Sequence, residues 1–183
     1  DNFRKAAKYI EQLGFDGIDI NMGCPDRNLM KKSSGASLIN NKPLVGEIVD
    51  AVREGSSSFP LSIKTRLDAN HNLTMEWLSY LLSINIDVLI LHGRDVKSRS
   101  KGLANWDEIG KAVQLRDKIN PDFMVIGNGE VTNYKEVLEK HRDYGVDGVM
   151  IGRGIFHNPW VFERIETTKS HTQKEYIDLL LKH

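Results

Sequence analysis

The sequence predicts a parallel α/β fold, and within that class part of a (β/α)₈ TIM barrel. Three observations carry the expectation. Amphipathic helical stretches and short apolar strands alternate without interruption, which calls for right-handed βα crossovers and a parallel sheet. A short repeat marks the passage from helix into strand three times: Gly14-Phe15-Asp16-Gly17-Ile18, Asn85-Ile86-Asp87-Val88-Leu89 and Gly145-Val146-Asp147-Gly148-Val149. The last two strands run into glycine-rich turns, Gly127-Asn128-Gly129 and Gly152-Arg153-Gly154, and barrels of this class frequently hold phosphate after strands seven and eight. On that count the five strands are the fourth to eighth. The chain then reads as a fragment, expected to fold poorly alone because an unclosed barrel exposes an edge strand. A complete five-stranded doubly wound domain is the competing architecture. It would gather its site at one switch point instead of at every strand end.

Each element has a local reason. Phe3, Ala6, Ala7, Ile10 and Leu13 recur at helical spacing, with Asp1 or Asn2 as cap and Gly14 as stop. Gly17 to Asn21 follows as a strand that halts at Gly23 and Pro25, and Arg27 to Asn41 is a polar stretch. Pro43 opens a helix whose Leu44, Ile48 and Val52 face inward, ending at Gly55. Leu61 to Lys64 is the second strand, and a loop from Asp68 to Leu73 leads to a helix from Thr74. Val88 to His92 is the third strand, followed by a basic loop with Lys97, Arg99 and Lys101. A helix around Trp106, Ile109 and Val113 precedes the strand Phe123 to Ile126. A helix capped by Thr132 then precedes the strand Gly148 to Ile151. A helical turn near Pro159 to Phe162 and an amphipathic helix from about Gln173 complete the chain. Nearly continuous apolar strands suggest a sheet covered on both faces.

Composition excludes more than it proposes. The 183 residues carry 25 basic and 25 acidic side chains, so net charge announces neither nucleic acid nor a membrane surface. A single cysteine, Cys24, rules out an internal disulfide and a cysteine-based metal site, and no metal is expected. No apolar run approaches the ~20 residues of a membrane span, and the chain opens in a polar helical pattern without a signal peptide. A cytoplasmic globular protein is the expectation.

Chemistry concentrates at strand carboxyl ends, which in a barrel face one mouth. They offer Asn21 and Cys24, Lys64 and Arg66, His92 and Arg94, Asn128, and Arg153. A lone cysteine is more often a small buried hydrophobe than a catalyst, and Asn128 between glycines suits any tight turn. Convergence on one mouth changes the balance. Lys64, Arg66, Arg94, Lys97, Arg99 and Arg153 make that mouth cationic, suited to a phosphorylated cofactor and a polyanionic substrate.

At these positions the sequence resembles the tRNA-dihydrouridine synthases, flavin-dependent (β/α)₈ enzymes. The family's N-x-G-C-P motif stands as Asn21-Met22-Gly23-Cys24-Pro25, its K-x-R as Lys64-Thr65-Arg66 and its H-G-R as His92-Gly93-Arg94. The G-N-G-D/E turn is Gly127 to Glu130, and the run from Asp147 to Trp160 matches D-G-V-M-I-G-R-G…N-P-W. The resemblance implies FMN with its phosphate on Asn128, Gly129, Gly152 and Arg153, Glu130 closing the cofactor-binding turn, and Lys64 and His92 along the ring. It implies hydride transfer to C6 of a tRNA uracil, a proton from Cys24 to C5, and NADPH as reductant. A thiol ordinarily stays protonated at neutral pH and is a competent acid. Asn21 is implied near the uracil edge, and Arg66 and Arg94 at base or RNA phosphate. A partial barrel over residues 1–166 and the start of a tRNA-gripping helical domain over 167–183 are the implied domains, in a protein that is monomeric at full length.

The sequence departs from the family at Asn28, where relatives commonly have Lys, at Asp95, where they have Thr, and at Asp68, often Gly. These loops bear on substrate positioning more than on flavin chemistry. Two rival readings are another FMN-dependent barrel oxidoreductase of the dihydroorotate dehydrogenase kind and a non-catalytic RNA-binding remnant.

Overall fold

In the computed structural model, which describes residues 1–99, 101–163 and 171–182, helix and strand alternate as the pattern predicts. The chain builds α1 (Asn2–Gln12), β1 (Ile18–Asn21), the single turn α2 (Arg27–Met30) and a 3₁₀ segment over Gly35–Asn40. It continues through α3 (Lys42–Gly55), β2 (Leu61–Leu67), α4 (His71–Leu81), β3 (Val88–Asp95) and α5 (Trp106–Ile119). Then come β4 (Met124–Asn128), α6 (Tyr134–Tyr144), β5 (Gly148–Met150), the short α7 (Gly154–His157), a 3₁₀ turn over Val161–Glu163, and α8 (Gln173–Leu181).

The five strands form one parallel sheet in the order β1-β2-β3-β4-β5. Consecutive order is what a curling βα sheet gives, whereas a doubly wound sheet reverses direction at its switch point. Helices pack on one another in chain order, α1 against α3, α4 against α5, and α5 against α6. The core lies between them and the sheet. Trp77, Leu78 and Leu81 of α4 and Ile109 of α5 meet Leu61, Ile63, Leu89, Leu91 and Val125 of the strands, all of them fully buried.

The expectation of strands buried on both faces holds at the centre of β3, where Leu89, Ile90 and Leu91 are all buried, but fails in β2. β2 alternates strictly: Leu61, Ile63, Thr65 and Leu67 are buried, while Ser62, Lys64 and Arg66 are half-buried. Successive side chains of a strand point to opposite faces. The apolar set therefore meets the helices, and the polar set lines the other side of the sheet. Trp77 confirms the sense, because its indole Nε1 donates to Thr65 Oγ1 at 3.1 Å.

Several boundaries differ from the sequence reading for local reasons. α4 begins at His71, not at Thr74, because Asn70 takes the cap and accepts from Asn72 N. Thr74 instead receives Asp68 N on its hydroxyl at 2.9 Å. α6 is capped by Asn133, not Thr132, through Glu136 N, and Thr132 is held by the Glu136 carboxylate. The polar stretch after Cys24 contains α2, capped by Asp26. Gly14 and Gly145 adopt the left-handed stop, but Asn85 does not appear among the positive-φ residues. The boundary expected near residue 167 lies outside the described residues. Helix α8 begins at Gln173 as predicted, on a capping box between Thr172 and Glu175.

The helix-to-strand repeat has a structural purpose. Asp87 Oδ2 accepts from Leu61 N at 2.7 Å and from Arg53 Nη2 at 2.8 Å. Asp147 Oδ2 likewise accepts from Val125 N and Arg116 Nη1, both at 2.8 Å. Each aspartate thus pins the start of its own strand to the start of the strand before it, and an arginine from the helix that leads into that earlier strand (Arg53 of α3, Arg116 of α5) completes the clamp. Arg116 is buried, so removing it strips Asp147 of its charge partner. Arg116→Ala in the full-length protein is expected to cost about 2–4 kcal/mol of stability, read from urea unfolding. A loss within ordinary surface-substitution scatter would contradict the clamp.

Candidate active site

Register decides which strand-end residues meet. Asn21 pairs with Lys64, Arg66 with His92, His92 with Asn128, and Asn128 with Met150. The result is two adjoining tiers at the carboxyl ends, Asn21 with Lys64 and, two residues further along, Arg66 with His92, Asn128 and Met150. Lys64 Nζ donates to Asn128 Oδ1 at 3.0 Å, and Asn128 Nδ2 donates to Met150 O at 2.8 Å. Asn128 is therefore fixed in one amide orientation between β2 and β5. A cleft of ≈ 520 Å³ opens over these tiers, lined by Lys64, Arg66, His92, Arg94, Asn128, Gly129, Glu130, Gly152 and Arg153. Every cofactor residue expected from the sequence lies in its wall. Val131, Thr132, Met150 and His157 line it too and were not anticipated, as does Gly154 of the turn already noted in the sequence. His157 carried a usable signal, since it follows the same glycine-rich run as Arg153.

The cleft concentrates positive charge. Burial lowers the Lys64 ammonium below its usual range, and Arg66 adds repulsion while Asp19 opposes it. Arg66 is lowered by burial and then by Arg94. Burial, together with the charges of Arg66, Lys64, Arg94 and Arg153, drives His92 down to about 3. His92 is therefore a neutral imidazole at physiological pH, and Lys64, Arg66 and Arg153 present positive charge beside it to an anion.

Cys24 and Asn21 do not line this cleft. Asn21 borders a separate cavity of ≈ 370 Å³ with Ser33, Ser34 and Gly35. Its side-chain oxygen is already used, accepting Gly23 N at 3.0 Å. Beyond β1 the chain keeps pace with β2 for one more residue, Met22 N donating to Lys64 O at 2.8 Å. The half-buried Cys24 is then held by its backbone, its carbonyl accepting Ala36 N at 2.9 Å. Gly35 permits that closure with a φ of +63°, and a Cβ there would lie 2.5 Å from Cys24 O. Arg66 joins the two regions, with Nε donating to Gly23 O at 2.7 Å and Nη1 to Arg99 O at 2.6 Å.

Arg94 departs most from expectation. A register shift after Arg66 pairs Leu67 with Asp95, so the bulge carries Gly93 and Arg94 out of the ladder and re-aims them. Arg94 is only 6% exposed. Its Nε donates to Gly102 O at 3.0 Å, and its Nη2 pairs with the Glu130 carboxylate.

The model of the dihydrouridine synthase family matches residues 1–182. This chain belongs to the dihydrouridine synthase family. It is 41% identical to a "Probable tRNA-dihydrouridine synthase" of Staphylococcus aureus strain Mu50 and 40% identical to a "Probable tRNA-dihydrouridine synthase 2" of Bacillus subtilis strain 168. Both alignments cover 100% of this chain and 55% of the relative. The chain thus spans about half the length of these curated dihydrouridine synthases. Among solved structures, the Proteus mirabilis N-acetylneuraminate lyase aligns with a TM-score of 0.59 at 12% identity, over 98% of this chain and 60% of that one. A phosphonopyruvate hydrolase aligns with a TM-score of 0.59 at 18% identity, over 80% and 54%. These likenesses concern the fold alone. Among the described residues no His, Cys, Asp and Glu group could hold a metal, and no helix is long and apolar enough to cross a membrane.

Two measurements test the site of this dihydrouridine synthase family member. Because unfolded His92 titrates near 6.5 and the folded imidazole near 3, the unfolded chain binds the extra proton between those values. Stability present above pH 6.5 is therefore lost as pH falls toward 3. His92→Gln should flatten that acid limb, seen as a smaller drop in urea midpoint between neutral pH and about pH 5; an unchanged drop would contradict the neutral imidazole. Gly35→Ala should cost about 1–3 kcal/mol by denaturation, since it strains the backbone against the Cys24 carbonyl. An unaffected midpoint would show that the loop closes differently.

Proposed function

We propose that this chain is the flavin-binding and uridine-reducing part of a tRNA-dihydrouridine synthase. In this reading its five strands are the fourth to eighth of a (β/α)₈ barrel, and α8 begins a helical tRNA-binding domain. The observation that carries it is the cationic cleft across the strand ends, linked through Arg66 to the loop that bears the sole thiol. Family membership, the names of the relatives and the share of their length covered all support it.

The residues present fit FMN. A cleft of ≈ 520 Å³ falls within the roughly 300–1,000 Å³ of small-molecule sites. Arg153 brings a forked donor for a phosphate, beside the exposed backbone of Gly152. Asn128, immobilised by Lys64 and Met150, and Gly129 extend the same wall. Lys64 would supply positive charge to the ring edge where reduction places negative charge, and neutral His92 would pack beside it without adding a competing charge. When bound, FMN supplies the hydride equivalent for C6 of the uracil, replenished from NADPH.

The chain's own residues complete the reduction. Adding hydride at C6 leaves an electron pair at C5, and the Cys24 thiol gives its proton there, so the double bond is replaced by two C–H bonds. Asn21 has committed its oxygen to Gly23 N, which leaves its amide NH₂ to donate to a uracil carbonyl. Arg66, holding Gly23 O and Arg99 O together, fixes the thiol loop against the loop of exposed Lys97, Arg99 and Lys101, which would meet tRNA phosphates. Such an enzyme would act on tRNA in the cytoplasm, as a monomer.

In the full-length protein, Cys24→Ala is expected to lower dihydrouridine formation about 10²–10⁴-fold while the bound-flavin spectrum stays as in wild type. A normal rate would exclude Cys24 as the acid. Arg153→Ala should lower the fraction of protein that retains FMN after gel filtration. A full-length protein that cannot be loaded with FMN would overturn the whole reading.

A further inference from the structure

The loop between β3 and α5 is fastened at more points than an exposed basic loop needs. Asn105 N donates to Gly93 O at 2.6 Å, and Arg66 Nη1 reaches Arg99 O at 2.6 Å. Arg94 reaches Gly102 O at 3.0 Å with Nε. Its Nη2 pairs with Glu130 Oε1, and Glu130 Oε2 accepts Ala104 N. Ala104 in turn rests where a side chain on Gly129 would be, 2.3 Å from that position, and Trp106 Nε1 donates to Gly129 O at 3.1 Å. The Gly129–Glu130 turn is itself held in unusual backbone, with φ of +148° and +43°. A non-glycine residue at positive φ persists only when its surroundings over-determine it. Here the Glu130 side chain is tied at both oxygens to one loop.

We propose that Arg94 and Glu130 are positioning residues, a latch that seats the described residues of the basic loop, 97–99 and 101–105, on the turn 127–130, and not direct ligands of RNA or cofactor. The inference rests on the tRNA-reducing reading above. Through the latch, Lys97, Arg99 and Lys101 are presented to an RNA backbone from a fixed platform. Arg94 is buried and already engaged at both Nε and Nη2, so most of its fork is committed to the loop and the turn. Its forked geometry is what lets one side chain satisfy a carbonyl and a carboxylate together.

Counterion release separates a latch from a ligand. A side chain that neutralises a phosphate contributes about 0.7–0.9 to the slope of log K against log salt, and a positioning residue contributes nothing. The experiment measures tRNA binding by the FMN-loaded full-length protein over a salt series, in wild type, Arg94→Gln, Glu130→Gln, the double variant and Lys101→Gln. The latch predicts that Arg94→Gln and Glu130→Gln each weaken binding by about tenfold, with a double variant no weaker than either single one. Both should keep the wild-type salt slope and the wild-type FMN content, while Lys101→Gln lowers the slope. A lowered slope in Arg94→Gln, or loss of FMN in Glu130→Gln alone, would overturn the latch and assign direct contacts. Wild-type affinity in both single variants would overturn it as well. A wild-type protein that holds FMN but binds no tRNA would remove the reading on which the inference rests, an outcome distinct from these.

Discussion

The hydrogen-bond register of the parallel sheet is the constraint on which everything else depends. Five strands in sequence order, with Asn21 beside Lys64 and, two residues further along, Arg66 beside His92 and His92 beside Asn128, set the functional groups in two adjoining tiers. A slip of one residue would turn every side chain of the strand to the opposite face. In β2 it would send Lys64 and Arg66 into the helices and present Thr65 to the cleft. The apolar residues that alternate with them prevent this, because Leu61, Ile63 and Leu67 have only the helix side to go to. The arginine–aspartate clamps act on the same register from the other end of the strands, fixing where β2 and β4 begin.

The same constraint explains the electrostatics. Packing Lys64, Arg66 and His92 into adjacent strands forces cations and an imidazole together in a partly desolvated cleft, and all three titrate below their usual values. Such a site is unfavourable when empty and favourable when an anion enters, which is how binding sites for phosphorylated ligands are commonly built. The bulge in β3 leaves Arg94 in the wall of the same cleft, where it still repels Arg66 and His92, but gives it Glu130 as a counter-charge.

Elements with strong local signals were legible in the sequence. The strand cores, the glycine stops at Gly14 and Gly145 and the start of α8 follow from periodicity and cap chemistry that act over a few residues. Neighbouring caps were harder. Asn70 and Asn133 each outcompete a threonine nearby, and the losing threonine is engaged by a carboxylate or a backbone amide. Of the site, the cleft wall was readable because strand ends in a parallel sheet converge whatever their side chains do. What the side chains bond to was not. Arg66 to Gly23 and Lys64 to Asn128 bridge 43 and 64 residues of sequence, and while Gly93 inside β3 hints at a bulge, nothing local pairs Arg94 with Glu130 36 residues on. Asn21 was legible in principle, since an asparagine two residues before a glycine at a strand stop suits an Asx-turn, and its oxygen does take the Gly23 amide.

The central claim is that this cleft serves reduction of a uracil in tRNA, with the flavin held by the strand ends and the proton supplied from the β1 loop. Its most direct test is mass analysis of nucleosides from unmodified tRNA incubated with the FMN-loaded full-length protein and NADPH. The account predicts a uridine heavier by two hydrogen atoms, formed only when flavin and reductant are both supplied. NADPH consumption with no change in the mass of any tRNA nucleoside would contradict it.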